Sequence, residues 1–331
     1  MVKIAIDAMG GDFGPAPIIE GTILALTERD FTPVLVGDRE LIEPLIPQKY
    51  KSRIEIVACK DFIKMEESAS IALRRKDSSI YVATELALKG KVDALVSAGH
   101  SGATMSLATL KIGRIQGVAR PAIGAILPRQ DGTQSLLLDA GANVDCKPEH
   151  LYEFALMGRE YAKYIMGYDS PRIGLLSNGE EESKGDELTK ATFLKLKNLE
   201  GFIGNVEGNN IFDGSVDVIV CDGFVGNIVL KTTEGVAESI VKLIKKFVST
   251  SLTGTLGALF MKNVFRKLKK RMDYAEYGGA PLLGVQGSVI ICHGKSNAKA
   301  IKNAIFQAFS SVEYAVNDRI KEAFAHNLRE L

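Results

Sequence analysis

The feature that most constrains this chain is a series of short apolar runs, most of which lack polar alternation. They are "KIAI" at 3–6, "TPVLVG" at 32–37, "RIEIV" at 53–57, "DALVS" at 93–97, "AIGAIL" at 122–127, "SLLL" at 135–138, "RIGLLS" at 172–177, "DVIVC" at 217–221 and "SVIIC" at 288–292. A strand buried on both faces reads this way, whereas a half-exposed strand would alternate. Helix-period segments at 15–29, 101–114, 149–166, 186–197 and 296–317 separate most of the runs. Alternation of the two patterns predicts an α/β/α sandwich with a mainly parallel sheet, a Rossmann-like layering in one domain over residues 1–331.

The runs end in a consistent way. Asp7 with "MGGD", "SAGHSGA" at 97–103, "DAGAN" at 139–143, "SNGEEESKG" at 177–185, "CDGFVGN" at 221–227 and "CHG" at 292–294 each join glycine to a small polar group. Open parallel sheets bind ligands outside the carboxyl ends of their strands, so these loops are expected to share one edge and form an anion or polar-ligand cleft. Two standard phosphate motifs are missing: no strand leads into GxGxxG with an acidic residue about 20 positions on, and GxxxxGK[ST] does not occur.

Bulk charge narrows the partners. Lys and Arg number 41 against 40 Asp and Glu, a formal charge of +1, so no global field recruits nucleic acid. The start of the chain enters a strand pattern without a basic, apolar leader, and no run reaches the roughly 18 apolar residues of a spanning helix, which predicts a cytoplasmic protein. Cys59, Cys146, Cys221 and Cys292 are far apart in sequence and read as reduced, buried thiols rather than disulfides or zinc ligands.

Residues 236–275 break the strand–helix rhythm and predict an inserted helical hairpin, with a Ser/Thr/Gly joint near Ser251–Gly254. In its second arm Leu252, Leu256, Leu259, Phe260, Val264, Leu268 and Met272 share one face, and Lys262, Arg266, Lys267, Lys269, Lys270 and Arg271 crowd the C-terminal end. Such a face packs into a core or a dimer interface, or lies on an anionic bilayer or an acidic protein.

Several side chains could carry chemistry. His100 and His293 follow strand ends within glycine loops and either contact a ligand or cap a turn, while His150 and His326 fall in surface-type helical sequence. Glu180, Glu181 and Glu182 suit the positive end of the helix that follows, and Lys184 beyond them can meet an anion or remain solvated. Asn143, Asn178 and Asn227 end three loops as ligand contacts or Asx turns. Asp7 and Asp12 resemble paired acids or metal ligands, but aspartates at such turns more often accept backbone N–H groups and brace the loop. No GxSxG elbow occurs, Cys221 has no basic neighbour in sequence, and nothing nominates a covalent nucleophile.

As an ordered set, "DAMGGD" at 7–12, "VSAGHSGA" at 96–103, "RPAIGAILP" at 120–128, "LLDAGANVDCKPEHL" at 137–151, "LLSNGEEESKG" at 175–185, "CDGFVGN" at 221–227 and "YGGAPLLG" at 277–284 resemble the PlsX family of acyl-carrier-protein:phosphate acyltransferases along the whole chain. The resemblance implies a fold related to phosphotransacetylases and decarboxylating dehydrogenases, and transfer of a long fatty acyl chain from acyl carrier protein to inorganic phosphate. The acyl phosphate would pass to a membrane glycerol-3-phosphate acyltransferase for phospholipid synthesis. It further implies a homodimer, no metal or organic cofactor, and peripheral association with the inner face of the cell membrane, which favours residues 252–272 as a membrane-facing hairpin. The family usually carries Asn-Thr where this chain has His100-Ser101, and His-Ala in place of Phe13-Gly14; an asparagine could not act as a base, so an obligatory base at His100 does not follow.

Phosphate is largely dianionic near neutral pH and the thioester has a good leaving group, so the task for the protein is positioning and charge stabilisation. Backbone N–H groups around Gly10, Gly11, Gly99, Gly102, Gly179 and Gly226 are expected to hold phosphate. Lys184 is assigned to phosphate charge and Asn227 to the oxyanion, with His100, Ser101, Asn143 and Asn178 as further polar contacts. Rival readings are an NAD-dependent decarboxylating dehydrogenase, which needs carboxylates around a divalent metal, and a non-catalytic membrane scaffold, which leaves the glycine loops without a purpose.

Overall fold

The computed structural model describes the backbone of residues 1–272 and 274–330, and the side chains of those residues apart from 252, 269, 270, 272, 274 and 328–330. The strands are β1 (Lys3–Asp7), β2 (Thr32–Gly37), β3 (Glu55–Ala58), β4 (Ala94–Ser97), β5 (Ala122–Pro128), β6 (Gln134–Leu138), β7 (Ile173–Leu176), β8 (Phe202–Val206), β9 (Val218–Val220), β10 (Ala280–Leu283) and β11 (Ser288–Ile291). The helices are α1 (Pro15–Glu28), α2 (Arg39–Ile42), α3 (Ser79–Leu88), α4 (Ser101–Leu107), α5 (Pro148–Tyr164), α6 (Glu187–Leu196), α7 (Asn210–Asp213), α8 (Gly223–Ser249), α9 (Leu252–Phe260), α10 (Lys262–Met272), α11 (Ala298–Glu313) and α12 (Val316–Glu330). All nine apolar runs form strands. Two further strands, β8 and β10, are short segments whose Gly, Asn and Pro residues obscure the pattern.

One sheet runs in the order β3-β2-β1-β4-β11-β10-β5-β6-β9-β7-β8. Each flank is parallel, but β10 is antiparallel to both β11 and β5, and β5 is antiparallel to β6. The first half (β1 to β4 with β11) and the second half (β6 to β9) therefore run in opposite senses. Burial follows the period of two: Ile4 and Ile6 pack with Ile18, Ile19, Ile301 and Ile305 of α1 and α11, while Ala5 faces Ile80 of α3 and Leu107 of α4. In the second half Leu136 and Leu138 meet Phe154 and Tyr161 of α5, and Leu137 turns to Ile211, Val216 and Ile219. A buried ion cluster braces the amino end of β9, where Asp217 accepts from Arg172 N (2.7 Å), Arg172 Nε (3.0 Å) and Arg129 Nη2 (2.7 Å). Burial raises the Asp217 carboxyl, and the bonds from Arg172 and Arg129 outweigh this and hold it below its ordinary value.

The inserted segment differs from its expected form. Its first arm starts at Gly223 rather than 236, because Asp222 caps α8 by accepting from Val225 N at 2.9 Å. The second arm is split into α9 and α10 at Met261. Among the described residues only Gly223 and Gly226 of α8 are buried, and Leu256, Leu259, Phe260, Val264 and Leu268 are 40–87% exposed, so the arm does not pack into the core of this chain. Leu252, Lys269, Lys270 and Met272, also placed on this arm from sequence, have side chains outside the described residues. Among the described residues no helix is long and apolar enough to cross a membrane.

Candidate active site

Two groups of loops carry the residues singled out from the sequence. The expectation that all six loops share one edge is corrected, because the two halves of the sheet run in opposite senses and their strands end on opposite sides.

The first group forms at the ends of β1, β4 and β11. Asp7 is buried and accepts from Met9 N at 3.3 Å and Ser97 Oγ at 2.9 Å, while Ser97 Oγ accepts from Gly99 N at 3.1 Å. Burial raises the Asp7 carboxyl above its ordinary value, and these bonds act against the shift. A Cβ on Gly10 would stand 2.5 Å from Gly99 N, so only glycine lets the two loops close on each other. Asp12 N donates to Gly294 O at 2.8 Å, tying "GGD" to "CHG". His100 is the N-cap of α4: its Nδ1 accepts from Ala103 N at 3.2 Å, so the neutral ring carries its proton on Nε2 and offers a donor there. His293 Nδ1 accepts from Lys295 N at 3.0 Å, also within its own turn. Gly11 and Gly102 lie in these loops, and Ser101 is exposed at the first position of α4.

The second group forms at the ends of β6, β9 and β7, around an aspartate that the motif reading passed over. Asp139 is fully buried and accepts five hydrogen bonds: from Ile123 N (3.0 Å), Gly141 N (3.2 Å), Ala142 N (3.0 Å), Asn143 N (2.7 Å) and Asn143 Nδ2 (2.9 Å). A Cβ on Gly226 would collide with Asp139 O, which brings the first turn of α8 against this loop. Asn227 follows, 3.6 Å through Oδ1 from the position a Cβ on Gly141 would take, and its side chain is exposed with no hydrogen bond among the described residues. The β7 loop contributes Asn178, whose Oδ1 accepts from Gly185 N at 2.8 Å, and Gly179, packed against the stem of the exposed Lys184. Glu180–Glu182 do not cap α6 as expected, since Asp186 does so by accepting from Thr189 N at 2.8 Å. His150, read as solvated, is buried: its Nδ1 accepts from Lys147 N at 3.1 Å at the start of α5, and burial lowers its pKa.

The thiols beside the second group are unsuited to nucleophilic attack. Burial pushes Cys146 up to about 11 and Cys221 well above its ordinary value, so neither is a thiolate near neutral pH. Among the described residues no three His, Cys, Asp or Glu side chains converge as a metal site requires. Among the described residues the second group thus offers backbone donors, the exposed ammonium of Lys184 and the exposed carboxamide of Asn227.

Comparison with known proteins gives the family and the fold. Residues 2–319 match the family model described as "Fatty acid synthesis protein". A protein of Wolinella succinogenes named phosphate acyltransferase is 79% identical over 325 residues, with 98% of each chain covered, and that of Nitratiruptor is 63% identical with 97% of each covered. Among solved structures, a phosphotransacetylase from Streptococcus pyogenes superposes with a TM-score of 0.64 at 17% identity over 94% of each chain. A 4-hydroxythreonine-4-phosphate dehydrogenase described as putative, from Salmonella typhimurium, shares the fold at 0.51, 15% identity and 94% and 99% coverage. With a family model spanning nearly the whole chain and relatives this similar, the protein belongs to the phosphate acyltransferase family and is an acyltransferase enzyme.

Proposed function

We propose that the enzyme moves a long fatty acyl group from the thioester of acyl carrier protein to inorganic phosphate, by direct attack and without an acyl-enzyme. A phosphate oxygen attacks the thioester carbonyl, the tetrahedral intermediate collapses, the C–S bond breaks, and acyl phosphate leaves together with the carrier thiolate, which takes a proton from solvent. Lys184 offsets phosphate charge and the Asn227 Nδ2 donates to the developing oxyanion. Backbone N–H groups around Gly179 and Gly226 supply further donors in the second group, whereas Gly10, Gly11, Gly99 and Gly102 belong to the first group at the opposite edge. Asn143 and Asn178 serve as binding contacts in the same group as Lys184, and Ser101 and the His100 Nε2–H, in the first group, are left without a part in this step.

The observation that carries this reading is the contrast in the second loop group between Lys184 and Asn227, exposed and unpartnered among the described residues, and thiols that burial keeps protonated. The test is acyl carrier protein charged with a fatty acid plus phosphate, with and without NAD and Mg²⁺. Acyl phosphate and free carrier thiol are expected in every mixture containing phosphate. A stable acyl adduct on the enzyme when phosphate is omitted would rule out direct attack, and a strict need for NAD or Mg²⁺ would favour the dehydrogenase reading.

The protruding arm supports a peripheral, dimeric enzyme working in the cytoplasm on the inner face of the cell membrane. Leu259 and Phe260, 66% and 87% exposed, form an apolar tip, and the exposed Lys262, Arg266 and Lys267 that follow suit an anionic surface. Along α8, Val236, Ile240, Leu243 and Phe247 make an exposed stripe at helical spacing that suits a second copy in a homodimer. Acyl phosphate released there would be at hand for a membrane glycerol-3-phosphate acyltransferase.

A further inference from the structure

An open cavity of about 600 Å³ runs along α4, and of the residues given a role above only Asn143 lines it. Its volume is that of a small-molecule site. Met105, Leu110 and Pro121 give it apolar walls, and Arg114 and Arg120 contribute long stems whose charged ends are held on backbone carbonyl oxygens, at Ala119 and Asp145 respectively.

The cavity adjoins the second loop group, and the helix that forms one of its walls starts in the first. Asn143, which lines it, is fixed through its N–H and Nδ2 to Asp139, the hub of the second group. From the other side α4 begins at Ser101 in the first group, and Ser101, Met105 and Thr109 follow at four-residue intervals on one helix face, the last two lining the cavity. The helix then widens into a π turn over Ala108–Ile112, a distortion frequent at functional sites, which carries Leu110 at the cavity wall with 65% of its surface in water. A large side chain left in water beside an open apolar cavity contributes nothing to the fold. It would be covered by an apolar ligand.

We propose that this cavity holds the fatty acyl chain of the donor, with its thioester end toward Asn143 and its hydrocarbon against Met105, Leu110 and Pro121. The assignment rests on the acyl-transfer reading above and adds the residues that select chain length. Methionine, unbranched and adaptable, suits a wall that meets chains of different lengths.

The test compares carrier protein charged with palmitoyl or octanoyl groups, using wild type, Met105→Trp, which fills the cavity, and Leu110→Asp, an exposed position that does not endanger folding. Each buried methylene contributes about fourfold, so losing a few of these contacts is expected to lower the palmitoyl-to-octanoyl ratio of kcat/KM at least about tenfold in both variants. Binding of the fluorescent long-chain fatty acid parinaric acid, read without turnover, is expected to weaken in parallel. If Met105→Trp fails to fold, Leu110→Asp decides. Absence of acyl phosphate from every donor in wild type, with parinaric acid binding wild type and weakened in the variants, would overturn the reaction but not the cavity. A ratio and a parinaric affinity both unchanged in Leu110→Asp, or a rise in the KM for phosphate alone, would overturn the cavity but not the reaction.

Discussion

The two loop groups use one device in different degrees. Each hangs from an aspartate at the end of an apolar strand, Asp7 after "KIAI" and Asp139 after "SLLL", and each needs glycine where loops press together, at Gly10 and Gly226. Asp7 accepts from Met9 N and Ser97 Oγ, with Ser79 and Gly10 also favouring its charged form, and Asp139 accepts five hydrogen bonds. In the first group Ser97 Oγ and His100 Nδ1 are spent on the loop itself. In the second the heavy use of Asp139 leaves Asn227 and Lys184 outside the internal network. A carboxylate that gathers the backbone N–H groups thus frees the side chains around it to meet substrate.

The strongest way to break this comparison is to remove the hubs. Asp139→Ala leaves several buried donors unpaired and is expected to lower stability by about 3 kcal/mol or more, against about 1–3 kcal/mol for Asp7→Ala, both read by urea unfolding. Equal losses would mean that the groups do not differ. Asn227→Ala is expected to reduce turnover about a hundredfold to a thousandfold with the fold intact, the effect of a lost oxyanion donor. His100→Asn, which keeps both a cap and a donor, is expected to change turnover by a few-fold only, and His100→Ala to cost about 1 kcal/mol through the lost cap.

Acid should separate the regions as well. The Asp217 carboxyl is held below its ordinary value, so its contribution is complete above an unfolded value of about 4 and is lost as pH falls through the folded one. Burial shifts Asp7 and Asp139 the other way, and protonation of these two favours the folded side of the balance. Asp217→Asn is therefore expected to be less stable than wild type at neutral pH, with the gap closing on acidification. A gap independent of pH would remove the charge of Asp217 from the account. The smallest effect concerns the arm: Leu259→Glu with Phe260→Glu is expected to abolish liposome binding while changing activity in solution little.

Much of the fold was legible because burial on both faces writes itself as unalternating apolar runs. The reversal at the centre was not, since "KIAI" and "AIGAIL" look alike whichever way the neighbouring strand runs, and "APLL" of β10 is too short to announce itself. The start of α8 was hidden for a related reason: Gly223 and Gly226 read as loop, and only the cap at Asp222 reveals a helix. Glycine marked the loops at the strand ends, although not the edge on which each would lie. Asp139 was missed although the signal was present, as an apolar run ending in Asp-Ala with glycine close behind, the pattern of the first strand repeated in the second half.

The central claim is that an exposed ammonium, and no covalent nucleophile, carries the reaction in the second group. The most direct measurement is turnover of Lys184→Ala with charged carrier protein and phosphate, at folding matched to wild type by thermal unfolding. A loss of about a hundredfold or more is expected, as for removal of other groups that stabilise transition-state charge. Turnover near that of wild type would contradict the account and take Lys184 out of the site.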